Sequence, residues 1–121
     1  MKYFAIKIVF MMLLSAIVFP ATVYAEQLKK GMTLSAARSL LIHQGWWAVN
    51  VHDGEKYEYI GIESLLINAN IKEVESCAID KAVCIFNYKK GNKCLRLFTH
   101  GEEVNDMRVI SWTCDCPDED E

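Results

Sequence analysis

The stretch Val83 to Thr99, VCIFNYKKGNKCLRLFT, decides the fold. Two runs rich in β-branched, aromatic and leucine residues flank Gly91-Asn92, a pair suited to a two-residue hairpin turn. If Lys90 and Lys93 flank that turn, residues whose numbers sum to 183 face each other. Tyr88 then meets Leu95, Phe86 meets Leu97 and Cys84 meets Thr99, all on one face. That face is almost wholly apolar, and a slip of one residue would turn it to the other side. A sheet face of this kind needs a cover.

The cover lies upstream. Thr33 to Gln44 reads as a helix, with Thr33 as N-cap, Met32 packing back towards Ala37, and Gly45 where a left-handed C-terminal residue is wanted. Leu34, Ala37, Leu40 and Leu41 form its apolar stripe. Trp46 to His52 reads as a strand closed by Asp53-Gly54. Glu55 to Asn70 fits either a second short helix over Gly61–Ala69 or a loose strand. From Ile71 the pattern is β, with strands expected at Lys72–Cys77, Val83–Lys89, Lys93–Thr99 and Arg108–Cys114. The fold class expected is α+β: one or two N-terminal helices packed on a four- to five-stranded, mainly antiparallel sheet.

The first 25 residues read as a cleaved secretory signal peptide. Lys2 and Lys7 precede an apolar run from Ile8 to Phe19, Pro20 breaks it, and Val23-Tyr24-Ala25 sets up cleavage after Ala25. A membrane span needs about 20 apolar residues, and only twelve lie between Lys7 and Pro20. The chain therefore divides into a signal at 1–25, one disulfide-stapled domain at 26–116 and an acidic tail at 117–121. The signal has a bacterial look, so we expect a periplasmic or secreted protein, with no membrane attachment after cleavage.

Export leaves all 16 acidic residues and 11 of the 13 basic ones, for a net charge of −5. Nucleic-acid binding needs the opposite sign and a clustered basic face, so it is not expected. The acidic balance favours a basic protein partner. All five cysteines, Cys77, Cys84, Cys94, Cys114 and Cys116, fall in the C-terminal half, which reads as disulfides in an oxidising compartment. Antiparallel strands around CAIDKAVC set Cys77 opposite Cys84. Cys94 has two candidate partners on the last strand, Cys114 and Cys116; we assign Cys114, leaving Cys116 as the unpaired thiol, free or intermolecular. Paired Cys-x2-Cys or Cys/His knuckles, as in zinc sites, and the Cys-x-x-Cys of redox enzymes do not occur. His43, His52 and His100 stand in no recognisable nucleophile, phosphate-loop or metalloprotease motif. No catalytic residue, metal ligand or cofactor is assigned, and the chain is not expected to be an enzyme.

Trp46 and Trp47 are adjacent, so on a strand they point to opposite faces. The exposed member is a candidate partner-binding anchor, and Trp112 reads as core or half-core.

Two resemblances attach to these residues. Gly31-Met32-Thr33, opening a helix that ends in Leu40-Leu41, resembles the helix start of β-lactamase inhibitory protein and of small outer-membrane assembly lipoproteins. That implies helices against a four-stranded antiparallel sheet, although the lipid-attachment cysteine is missing. The layout Gly45-Trp46, Glu73 to Cys77, Cys84, Thr99 to Glu102 and Trp112 is similar to that of small exported proteobacterial proteins with no assigned activity. This implies the same fold class and the first disulfide. The function expected is a non-enzymatic exported protein-binding module, inhibitor-like or immunity-like. The alternative is a thiol or redox-responsive protein using its unpaired cysteine.

Overall fold

A computed structural model describes residues 27–117; the expected signal peptide and residues 118–121 of the acidic tail lie outside the described residues. In chain order the elements are helix α1 (Leu34–His43), strand β1 (Trp47–Ala48), helix α2 (Ile62–Asn68), strands β2 (Val74–Ala78), β3 (Val83–Lys90) and β4 (Lys93–His100), a 3-10 turn (Val104–Asp106) and strand β5 (Arg108–Thr113). This is the α+β arrangement expected, with five antiparallel strands and the helices ahead of most of the sheet.

The central hairpin has the register read from the sequence. Cys84 faces Thr99, Phe86 faces Leu97, Tyr88 faces Leu95 and Lys90 faces Lys93. Gly91 has φ +61° while Asn92 has no positive φ, which is the II′ pattern with glycine first. β5 adds beyond β4 with a bulge between Phe98 and Thr99, and β1 and β2 both pair with the far edge of β3.

Helix α1 begins where expected, because the Thr33 hydroxyl accepts from the Ala36 N–H at 3.1 Å. It ends at Gly45, whose φ of +89° an L-residue adopts only with strain. Leu34, Ala37 and Leu41 press onto Phe86, Tyr88, Leu95 and Leu97 of the sheet, joined by Leu66 from α2 and by Ile71, Val74, Met107 and Val109.

The expected strand at Trp46–His52 shortens to two residues, and the reason is competition for one edge. β1 pairs with Tyr88 and Lys89, and Val49 N–H still donates to the Asn87 carbonyl. From Phe86 onward that edge belongs to β2, beginning with Val74. The chain turns away instead, with Asn50 Oδ1 accepting from the His52 N–H at 2.9 Å. In the ambiguous stretch the helical alternative is the one formed. Gly61 starts it at φ +59°, and Leu66 is buried in the core.

Beneath α1 lies one buried ion pair. Arg38 Nε donates to Glu73 Oε1 at 2.7 Å, and the Glu73 side chain is 1% exposed. Burial raises the Glu73 carboxyl above its ordinary value, and Arg38 only partly offsets it. Tyr88, beside the pair, is raised much further by burial and then by the charge of Glu73.

Two measurements follow from this packing. An acid whose folded-state pKa lies above its unfolded one carries its proton into the native state. Stability then falls as pH rises through that folded value. The stability of the wild type relative to Glu73→Gln should therefore decline from about pH 4 towards neutrality in urea titrations; a flat or rising difference would overturn burial as the dominant effect. Removing the short Cys77–Cys84 loop closure with paired Cys→Ala changes should cost about 2–3 kcal/mol by the same assay.

Candidate functional site

Cys77 and Cys84 are bonded, as expected, where β2 and β3 place them directly opposite. The second bond differs from the expectation. Cys94 is bonded to Cys116, and Cys114 is the exposed free thiol. Strand parity explains the correction. Near its end β5 pairs Arg96 with Thr113 and Leu97 with Trp112, so the residue in line with Cys114 is Leu95. Leu95 faces α1 and the core, whereas Cys94 points to the opposite side of the sheet. A Cys94–Cys114 bond in this register would have to cross the sheet. Strand β5 ends at Thr113, and the extra residues let Cys116 swing round to the side where Cys94 lies.

The two adjacent tryptophans take opposite fates. Trp46 packs against the core, while Trp47 is 51% exposed, opposite Lys89. Trp112 is 36% exposed on the α1 side of β5, across from Leu97. Trp46 and Trp112 line one groove with Leu28, Leu41, Gln44 and Leu95, between the end of α1 and strands β4 and β5. Trp46 also borders a second hollow of about 530 Å³, whose other walls are Asn92, Lys93 and the three cysteines 94, 114 and 116. Trp46 thus joins the groove that Trp112 lines to the hollow that holds the free thiol and a disulfide, while Trp47, level with Lys89, lies on the opposite face of the sheet from Trp112. The sequence pointed to Trp46, Trp47 and these cysteines. It did not signal that Trp112 would join Trp46 in one groove, because that depends on how β5 sits beside α1.

A second cluster was not foreseen at all. His52 stacks on Tyr57 with ring centroids 3.6 Å apart, and Tyr59 meets both rings edge-on. The Tyr57 hydroxyl donates to Glu63 Oε1 at 3.0 Å, and the Cys77 N–H donates to Glu63 Oε2 at 2.8 Å. Burial, then the carboxylate of Glu63, pushes the Tyr57 hydroxyl up to about 12, so it remains a donor at neutral pH. His52 Nε2 lies 2.5 Å from the Glu75 carbonyl and Nδ1 lies 3.3 Å from Glu55, so acceptors occupy both ring nitrogens. On the adjoining sheet surface Arg96 is paired with Glu75, and Asn87 Nδ2 donates to Glu75 Oε1 at 3.4 Å. These contacts fasten the 49–61 segment across β2 and β3. They are spent on holding the chain, which fits a brace better than a reaction centre. His43 and His100 lie exposed elsewhere.

Among the described residues no group of three or more His, Cys, Asp or Glu is placed to hold a metal, and no helix is long and apolar enough to cross a membrane. Two disulfides fit an oxidising compartment. No protein-family model matches this chain, nor does any curated protein or solved structure.

The two tryptophans of the 46–47 pair should separate cleanly in urea unfolding. Trp46→Ala should cost about 2–3 kcal/mol, below the range for a fully enclosed aromatic, and Trp47→Ala less than about 0.5 kcal/mol. Equal costs would overturn the assignment of one to packing and the other to the surface.

Proposed function

We propose that the chain is an exported, non-enzymatic protein-binding module, inhibitor-like or immunity-like, which docks its partner at the groove lined by Trp46 and Trp112. The observation that carries this reading is the groove that Trp46 and Trp112 line together between α1 and β5, with Trp112 open to solvent. Tryptophan is a preferred anchor because it buries a large rigid surface at small entropic cost. The groove between α1 and β5 offers a matching slot for an apolar side chain of the partner.

Lys89, Lys90 and Lys93 outnumber Asp115 at the hairpin end, so long-range attraction of a basic partner comes from the chain as a whole. Its acidic balance favours a basic partner and association that weakens with salt. Periplasmic or secreted placement rests on the N-terminal sequence, with the two disulfides in keeping.

The test uses the mature protein immobilised against an extract of the compartment that receives it, followed by titration with the partner so identified. Trp112→Ala should weaken binding at least tenfold. Ile79→Ser, in the exposed turn between β2 and β3, should leave it unchanged. Binding unaffected by Trp112→Ala, or no partner in a controlled capture, would overturn the proposal.

A further inference from the structure

The free cysteine Cys114 does not stand alone: it lines one hollow together with both residues of the Cys94–Cys116 bond. We propose that these three residues form a thiol–disulfide exchange site with two interconverting bonding states.

The chemistry is balanced without any outside oxidant or reductant. Cys114 loses its proton to water or buffer, and the thiolate attacks Cys94 Sγ. The new Cys94–Cys114 bond forms as the Cys94–Cys116 bond breaks, and Cys116 leaves as the thiolate and takes up a proton. One disulfide and one thiol are present before and after. Attack on Cys116 instead would close a ring between residues two apart in sequence, which is strained, so Cys94 is the productive target.

The placement of the chain allows both states. Cys94 is held in a paired strand and buried, and so serves as the fixed pole. Cys114 and Cys116 are both exposed and follow the last paired residue, Thr113, so neither is locked by ladder hydrogen bonds. The parity that sets Cys114 on the α1 side holds only while the β5 register extends past Thr113. Release of that short end lets either cysteine reach Cys94. The two states differ in which cysteine carries the thiol: Cys114, which lines the Trp46 hollow, or Cys116, which lines both that hollow and the one bordered by Val49 and Pro117. The exchange therefore changes which cysteine carries the reactive thiol, and it does not depend on docking.

The experiment uses the oxidised mature protein. It is held at pH 8 for increasing times, quenched in acid and labelled with N-ethylmaleimide after denaturation at pH 6. Peptide fragmentation across Asp115 distinguishes label on Cys114 from label on Cys116. Protein kept acidic throughout should carry label on Cys114, and incubation at pH 8 should spread it to Cys116. The half-time should be independent of protein concentration and lengthen as pH falls. Cys116→Ser should form the Cys94–Cys114 bond and take up no label, and Cys114→Ser should keep Cys94–Cys116. Label confined to one cysteine at every time and pH overturns the proposal, and so does exchange whose rate scales with concentration.

Discussion

The pairing of β3 with β4 is the constraint on which the rest of the molecule depends. A II′ turn at Gly91-Asn92 fixes which residues oppose each other, and with period two that choice assigns every side chain of both strands to a face. Phe86, Tyr88, Leu95 and Leu97 then form a surface that only an apolar helix can cover, and α1 supplies it. The other face receives Asn87, Cys94 and Arg96, and so becomes the place where the 49–61 segment and the C-terminal disulfide attach. One turn thereby determines both where the core lies and where the polar and sulfur chemistry collects.

Edges account for what the faces leave open. The far edge of β3 is shared end to end by β1 and β2, which limits β1 to two residues and releases the chain into a long excursion over the sheet. That excursion has little apolar surface to bury. It is held by directed contacts instead: the His52–Tyr57 stack, the two hydrogen bonds received by Glu63, and the contact of His52 Nε2 with the Glu75 carbonyl. Asn87 Oδ1 and Arg96 Nε, on directly opposed residues, are buried there without a hydrogen-bond partner among the described residues. Such atoms carry a desolvation cost, and they mark this seam as less completely satisfied than the core above it.

How much of this was legible in the sequence depends on how local the signal was. The cap at Thr33, the stop at Gly45, the hairpin register and the Cys77–Cys84 bond all rest on residues close together in the chain, and each is found as read. The Trp46–His52 strand was overextended because its length is set by β2, a competitor 25 residues away. The partner of Cys94 was misassigned for a related reason. Cys114 and Cys116 share one parity, and only the register across a seven-residue connection shows that neither lies in line with Cys94. The Trp46–Trp112 groove was half legible: the pair at 46–47 announced itself, while the part played by Trp112 needed the β4–β5 bulge and the position of α1. The cluster around His52 and Glu63 had no local pattern to reveal it.

The Cys94–Cys116 bond also changes what damage to the backbone means. It encloses β4, the exposed turn after His100, the 3-10 segment and β5 in one covalent ring. Exposed loop tips are the usual sites of proteolytic nicking, and the obvious one here, around Glu102 and Glu103, lies inside that ring. A cut there opens the ring without freeing a fragment, and β5 stays tied to its neighbour at the far end. The segment at 27–33 has no such bond, although it pairs with the start of β5 through Gly31, Met32 and Val109. Covalent continuity in this domain is therefore strongest at its C-terminal side, and a protease that reaches the leading segment removes it outright.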